Sequence, residues 1–437
     1  MKNITPIILS SLFLLPAIST VQAAALSSHP SNNKSSNQIA QNIDPELQQL
    51  DQAQKQASTS VNPIAKDITV RISSANNGGS GVLIAKKGNT ALDNNQRAIG
   101  DFDRKIALDP QSAEAYYNRA NAKFALGDKQ GAIRDYDKAI AINPQYADAY
   151  VNRGVAKSAL GDKQGAIRDY DKAIAINPQD AQAYYNRGTV KSALGDKQGA
   201  ISDYDKAIAI NPQDAEAYYN RGNAKSALGD KQGAISDYDK AIAIAPKMAN
   251  AYINRGIAKS ALGNKQEAII DYDKAIAINP QLAQAYYNRG IAKSDLGDKQ
   301  GEISDYDKAI AINPQYADAY NNRGVAKSDL GDKQGAISDY DKAIAINPQD
   351  AEVYRNRGIA KSALGNNKGA ISDLSKAIAI DPKLALAYVN RGIAKSDLGD
   401  KQGAIADLSK AAELFRQQER MDLYQQAMGL IAKLKGS

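Results

Sequence analysis

Nine prolines recur at a constant step of 34 residues along this 437-residue chain: Pro110, Pro144, Pro178, Pro212, Pro246, Pro280, Pro314, Pro348 and Pro382. The sequence between successive prolines is almost unchanged, as in "DAQAYYNRGTVKSALGDKQGAISDYDKAIAINPQ" at 180–213. A regular period of this length is too long for a coiled-coil heptad and is not expected of one globular core. It predicts an array of stacked supersecondary units.

Each period predicts two helices with their own start and stop signals. In the repeat that begins at Ala181, the first helix runs to about residue 194 and ends at Gly195, whose freedom at positive φ suits a helix C-terminus. Asp196 caps a second helix, which Pro212 ends. The second helix places apolar residues at helical steps of three and four: Ala200, Ile201, Tyr204, Ala207, Ile208 and Ile210. Because such a pair cannot bury its apolar stripes alone, the pairs must stack in an all-α array.

The pattern of small and aromatic residues resembles the tetratricopeptide repeat: Tyr184, Gly188, Ala200, Tyr204, Ala207 and Pro212. The resemblance covers nine repeats, which we number 1 to 9: 113–146, 147–180, 181–214, 215–248, 249–282, 283–316, 317–350, 351–384 and 385–418. It implies a right-handed superhelical solenoid of antiparallel helix pairs, with the first helices along a concave groove. A half repeat at 91–112 precedes the array.

A capping helix is predicted at 419–437, after the last repeat. Its apolar residues are Met421, Tyr424, Met428, Ile431 and Leu434, and we expect them to cover the exposed end of repeat 9.

Two features depart from the family pattern. Every repeat has Arg where an apolar residue is usual, as at Arg187, with Lys191 four residues later. Asp203 and Asp205 are plausible partners, which predicts a solvated ionic seam of low individual worth. The second departure is Glu302, which replaces the close-contact Ala. Either its carboxylate reaches out to solvent or repeat 6 is locally loosened.

One inward-facing position of the first helices never varies: Asn118, Asn152, Asn186, Asn220, Asn254, Asn288, Asn322, Asn356 and Asn390. An Asn amide can pair with both the N–H and the C=O of an extended peptide. This asparagine column is similar to the asparagine ladder in the repeat domain of protein O-GlcNAc transferases. Tyrosines at the preceding position would flank it with contact surface: Tyr117, Tyr185, Tyr219 and Tyr287. The alternative is that duplication copied a structural Asn nine times.

The sequence favours a non-enzymatic scaffold that binds a protein or peptide partner. The family's clamp for C-terminal carboxylates needs Lys at groove positions that here hold Tyr, Val, Ile or Ser. The formal charge of +7 invites a nucleic-acid interpretation, but the nine repeats carry 42 Lys and Arg against 38 Asp and Glu, interleaved. No basic stripe results, so we expect no nucleic-acid partner.

The N-terminal residues predict export. Residues 1–25 read as a signal peptide, with Lys2, an apolar run from Ile7 to Leu15, and small residues up to Ala25. Residues 26–66 are rich in Ser, Asn and Gln, which predicts a flexible linker. We expect a periplasmic or secreted protein with no membrane span after the signal and, because the chain has no cysteine, no disulfides.

Residues 67–90 resemble the opening β-hairpin of a trypsin-like peptidase domain, in "ITVRISSANNGGSGVLIAKKGNT" at 68–90. The rest of that domain is missing, and the only histidine, His29, lies in the linker. A serine peptidase needs a base for its nucleophile, and Ser80 lies in the hairpin turn. We therefore expect no catalysis, metal or cofactor. The alternative function is a degenerate or truncated member of an exported peptidase family.

Overall fold

The computed structural model of the protein describes residues 90–436, in which every regular element is an α-helix. The first ten helices are α1 (Thr90–Leu108), α2 (Ala113–Ala125), α3 (Lys129–Ile142), α4 (Ala147–Ala159), α5 (Lys163–Ile176), α6 (Ala181–Ala193), α7 (Lys197–Ile210), α8 (Ala215–Ala227), α9 (Lys231–Ile244) and α10 (Ala249–Ala261). The others are α11 (Lys265–Ile278), α12 (Ala283–Asp295), α13 (Lys299–Ile312), α14 (Ala317–Asp329), α15 (Lys333–Ile346), α16 (Ala351–Ala363), α17 (Asn367–Ile380), α18 (Ala385–Asp397), α19 (Lys401–Gln417) and α20 (Met421–Gly436).

The described chain forms two compact units, an N-terminal unit at 90–258 and a C-terminal unit at 259–436. Helices α1 to α9 pack consecutively in the first, and α11 to α20 in the second. Each repeat contributes a first helix and a second helix, so the predicted all-α architecture of stacked helix pairs is confirmed.

In repeat 3, the first helix ends and the second begins close to the residues that the sequence predicted. Helix α6 stops at Ala193, and Gly195 follows at φ +91°. Asp196 caps α7 by accepting a hydrogen bond from the backbone N–H of Gly199 at 2.8 Å. A Cβ at residue 199 would lie 2.1 Å from the Asp196 carboxylate, so a side chain there would require this carboxylate to shift. In repeat 5, where Glu267 replaces that glycine, Asn264 makes no side-chain cap.

Alanines and one large residue of the second helix, tyrosine in repeats 1 to 7 and leucine in repeats 8 and 9, recur in the core of every repeat. In repeat 3, Ala200 and Ala207 are fully buried and flank Tyr204, which is 1% exposed. Gly188 of α6 faces the Tyr204 ring, and a Cβ there would lie 3.0 Å from it. Small residues therefore let the two helices approach closely around an aromatic ring.

Glu302 does not reach solvent, so the expectation of an exposed carboxylate is wrong. The residue is 1% exposed inside the intact helix α13. Its Oε1 lies 3.3 Å from Lys299 Nζ but has no hydrogen bond of ordinary geometry. Burial raises the pKa of this carboxyl group, although Ser294 and Lys299 partly oppose the shift.

The last helix packs on α19, and the predicted residues Ile431 and Leu434 are buried in that contact, so the predicted face is confirmed in part. Leu423, Ala427, Ile431 and Leu434 are its buried residues, whereas Met421 and Met428 are 50% and 40% exposed. The predicted residues and the buried residues both have helical spacing, so the sequence pattern alone did not determine which of them face α19. The buried set joins a cluster with residues of α18 and α19.

The predicted signal peptide at 1–25, the linker at 26–66 and the hairpin at 67–90 lie outside the described residues, apart from Thr90, which begins α1. His29 and Ser80 also lie outside them. Among the described helices, none is long and apolar enough to cross a membrane.

Candidate peptide-binding face of the first helices

The asparagine column occupies the sixth position of each first helix. The N-terminal unit holds Asn118, Asn152, Asn186, Asn220 and Asn254, and the C-terminal unit holds Asn288, Asn322, Asn356 and Asn390. Most of these residues are half-buried, but Asn152 and Asn356 are only 5% and 9% exposed. The column therefore lies at the boundary between packed helices and solvent.

The structure brings the predicted tyrosines and asparagines together in pairs. In each pair, the asparagine Nδ2 donates to the hydroxyl oxygen of the tyrosine 35 residues earlier, in the preceding repeat. The pairs are Asn152–Tyr117 at 3.0 Å, Asn220–Tyr185 at 2.9 Å, Asn254–Tyr219 at 3.0 Å and Asn322–Tyr287 at 3.2 Å. These bonds link successive first helices. The asparagines therefore have a structural role, which was the alternative to peptide binding in the sequence analysis.

The hydroxyls of Tyr185 and Tyr287 stay protonated. Burial raises the pKa of Tyr185 and of Tyr287. Tyr117 is 3% exposed, and its ring lies 4.8 Å from that of Tyr146. Its ring is part of the core instead of a contact surface, while Tyr185, Tyr219 and Tyr287 remain half-buried.

Three polar residues of the same face were missed by the sequence reasoning. Asn121 and Asn223, at the ninth position of repeats 1 and 4, each accept from the Nδ2 of the following column asparagine, at 3.1 and 2.8 Å. They also accept from the core hydroxyls of Tyr136 and Tyr238. Thr189 accepts from Tyr204 in the same way. The signal available in the sequence was a polar residue where other repeats have Val or Ile.

The side-chain oxygens of the column are used less than its nitrogens. Asn186, Asn322 and Asn356 accept from neighbouring side chains of their own helices. In the described part of the chain, the oxygens of the other six accept no hydrogen bond: Asn118, Asn152, Asn220, Asn254, Asn288 and Asn390. An amide oxygen can accept a backbone N–H, so the capacity left for a ligand is mainly that of an acceptor.

Two buried column nitrogens have no acceptor among the described residues. The Nδ2 atoms of Asn288 and Asn390 are buried and make no hydrogen bond within the described residues. Arg355 lies 35 residues before Asn390, at the position where repeats 1, 3, 4 and 6 have tyrosine. Its Nε is likewise buried and has no hydrogen-bond partner among the described residues.

The ionic seam is buried at Asp203 and exposed at Asp205, so the expectation of a solvated seam is wrong for the first carboxylate and confirmed for the second. Asp203 is 3% exposed and accepts from Arg187 Nε at 2.9 Å and Nη2 at 2.6 Å. Lys191 Nζ lies 2.9 Å from the same carboxylate. The second partner of Arg187 is Asp171 of the preceding repeat, at 2.6 Å, and Asp205 pairs instead with the next repeat.

The arginine at this position of each repeat, such as Arg187, thus makes its contacts within the array. Each arginine also lies over the tyrosine three residues earlier, with 5.5 Å between the Arg187 guanidinium and the Tyr184 ring centroid. Burial alone would raise the pKa of Asp135, but hydrogen bonds from Arg119 and Lys123 outweigh it and hold that pKa below its usual value. These basic side chains bind carboxylates within the array.

The described residues bring no group of three or more His, Cys, Asp and Glu side chains into an arrangement that could hold a metal ion. The face offers amides, tyrosine hydroxyls and a few charged groups, which suit recognition by hydrogen bonding.

Sequence models of the tetratricopeptide repeat match the array. One model described as "Tetratricopeptide repeat" matches 113–146, 215–248, 249–282 and 317–350. A second model with the same description matches 283–316, 351–384 and 385–418. A third with that description matches 135–168, and a model described as "TPR repeat" matches 157–195 and 190–229. Together these matches span 113–418.

Solved structures with similar repeats include MamA, 31% identical over 38% of this chain and 96% of that chain, with a TM-score of 0.36. YrrB, described as a TPR protein with an unusual peptide-binding site, is 26% identical over 42% and 95%, with a TM-score of 0.38. A tetratricopeptide repeat protein from Parabacteroides merdae ATCC 43184 is 23% identical over 57% and 99%, with a TM-score of 0.45. No curated protein matches the chain significantly.

Proposed function

Because this chain belongs to the tetratricopeptide repeat family, we propose that it is a non-enzymatic protein-interaction scaffold that binds extended peptide segments along the asparagine column. One observation supports this most directly. Six column oxygens have no hydrogen-bond partner in the described part of the chain, although most column nitrogens have one. Oxygens repeated at the same position of successive helices suit the backbone N–H groups of an extended ligand.

This arrangement separates two roles within one side chain. The nitrogen of Asn220 holds repeat 4 to repeat 3 through Tyr185, while its oxygen is available to a ligand. The same holds for Asn254 and Tyr219 between repeats 5 and 4. A structural role for the asparagines therefore does not compete with peptide binding.

The test uses a randomised dodecapeptide library displayed on phage and selected on the full chain. We expect peptides to be enriched and to bind the Asn220→Ala/Asn254→Ala variant more weakly. Each lost hydrogen bond is worth about 0.5–1.5 kcal/mol, so the double variant should lose roughly 1–3 kcal/mol of binding free energy.

The matched control is Tyr185→Phe/Tyr219→Phe, which removes the hydroxyl partners of the same two nitrogens but keeps both oxygens. Both variants should lower the melting temperature, and only the asparagine variant should weaken peptide binding. Equal loss of binding in the two variants would show that the asparagines act through the fold alone. Failure to enrich any peptide would contradict the proposed function.

We also propose that the protein is exported. The proposal depends on the apolar run and small residues within 1–25. N-terminal sequencing of the exported protein should find its first residue near Ala24 or Leu26; retention of residues 1–25 in a cytoplasmic protein would contradict export.

A further inference from the structure

The pairing between successive first helices fails between repeats 8 and 9. In the C-terminal unit, Asn322 donates to the hydroxyl of Tyr287 at 3.2 Å, and Asn356 donates to Asn321 Oδ1 at 3.1 Å, both across 35 residues. The same register matches Asn390 with Arg355. A guanidinium has donors and no acceptor, so this register sets one donor opposite another. The same register joins a donor to an acceptor in five other pairs, and it sets the apolar Val151 and Ile253 opposite Asn186 and Asn288.

Both donors are buried and unsatisfied. Arg355 is 9% exposed, and its Nε and the Nδ2 of Asn390 make no hydrogen bond in the described part of the chain. Arg355 Nη2 has acceptors in Glu352 Oε2 at 2.8 Å and Asn356 Oδ1 at 3.3 Å, but a buried donor left without an acceptor, such as Nε, is destabilising. The two residues therefore lack an oxygen that would accept from both.

We propose that Arg355 and Asn390 bind the carboxylate of an Asp or Glu side chain in the bound peptide. This inference rests on the proposed function, and it assigns an acidic residue to the part of the peptide at repeats 8 and 9. The planar guanidinium fork matches a carboxylate bidentately, and the Asn390 amide supplies a further donor. A neutral peptide carbonyl could accept a hydrogen bond but could not replace the charge of the Glu352 carboxylate that pairs with Arg355.

Glu352 holds the place of the ligand carboxylate in the unbound protein. Its Oε2 lies 2.8 Å from Arg355 Nη2, and its side chain is 49% exposed. An ion pair this open to water is weak and exchanges easily. Since Nε and Nδ2 are enclosed, the Arg355 side chain turns toward the ligand on binding, and the ligand carboxylate replaces that of Glu352.

The test compares library selections on the full chain and on Arg355→Tyr. This substitution recreates the tyrosine that pairs with asparagine at Tyr287, so we expect it to fold and to melt no lower than the parent. The matched control is Arg134→Ser, which removes one exposed positive charge at a position where repeats 3 and 4 have serine.

Peptides selected by the parent and by Arg134→Ser should share an Asp or Glu at one position. The affinity of such a peptide should fall at least about tenfold with Arg355→Tyr and stay unchanged with Arg134→Ser. Changing its acidic residue to the matching amide should weaken binding to the parent by a similar factor and have little further effect on Arg355→Tyr. Arg355→Val, which copies Val151 and Val389, serves as a second variant.

If selected peptides show no acidic preference, or bind Arg355→Tyr and Arg355→Val as tightly as the parent, the carboxylate site is wrong and the scaffold function stands. If the parent enriches no peptide, both the inference and the proposed function are contradicted.

Discussion

Replacing Asp203 by alanine should be far more destabilising than replacing Asp205, although the two carboxylates are two residues apart on α7. Asp203 is 3% exposed and accepts hydrogen bonds from two nitrogens of Arg187, with Lys191 Nζ at 2.9 Å. Its loss would leave two basic groups inside the helix pair without their shared partner. Asp205 makes one contact, to Arg221 at 2.6 Å, and its side chain is 54% exposed.

The expected magnitudes follow from these environments. Removing one member of a buried ion pair costs about 3–5 kcal/mol. Arg187 keeps Asp171 at 2.6 Å, and the side chains of Arg187 and Lys191 are 17% and 24% exposed, so water can partly replace the lost carboxylate. We therefore expect a loss of about 3 kcal/mol for Asp203→Ala, at the lower end of the range. Asp205→Ala should cost about 0–1 kcal/mol, as for an exposed pair.

Urea denaturation followed by far-ultraviolet circular dichroism measures both effects on the full chain. The two variants should have similar denaturant slopes, and the midpoint should fall much more for Asp203→Ala. Equal midpoints for the two variants would refute the conclusion that the inner carboxylate organises the helix pair.

Three further predictions concern stability. Glu302→Ala should stabilise the protein by about 1 kcal/mol, because it removes a buried carboxylate with an oxygen that makes no hydrogen bond. Since burial raises the folded-state pKa of Glu302, its contribution to stability is present below the unfolded pKa and lost as pH rises through the folded pKa. Melting curves should thus show a larger gain at neutral than at acidic pH, and a constant gain would contradict the assignment. The pKa of Asp135 is lowered, so the stability that its carboxylate contributes is present above the unfolded pKa and lost as pH falls through the folded pKa. Acid should therefore lower the melting temperature of the parent more than that of Asp135→Asn. Parallel acid titrations of the two proteins would contradict this role of Asp135. Leu423→Ala should cost about 2 kcal/mol and the exposed control Met428→Ala less than about 0.5 kcal/mol, so equal melting temperatures would argue against the observed packing of α20.

Local features of the fold could be predicted because each depends on a few neighbouring residues. The end of α6 before Gly195 and the cap at Asp196 follow from backbone preference and from one side-chain hydrogen bond. Because the sequence repeats every 34 residues, the same signals predicted the remaining helices. The inward face of α20 was predicted only in part, with Ile431 and Leu434 correct, because this helix has no repeated copy and two helical phases fit its apolar residues.

Contacts between repeats were harder to predict because they depend on the offset between neighbouring helix pairs. That offset gives Arg187 its second partner in Asp171 instead of Asp205. It also places Tyr185 against Asn220, one residue beyond the sequence period. A sequence period identifies equivalent positions but not which of them touch. The sequence identified the asparagine column without showing that most of its nitrogens bind within the array.

The central claim is that the column oxygens bind the backbone of an extended peptide. The most direct measurement is the affinity of a library-selected peptide after single backbone amides are replaced by esters, which removes an N–H donor and keeps the side chain. We expect esters at alternate positions to weaken binding by about 0.5–1.5 kcal/mol each and alanine substitutions to have smaller effects outside the acidic residue. Ester peptides that bind as tightly as the parent peptide, with large losses on alanine substitution throughout, would contradict backbone recognition.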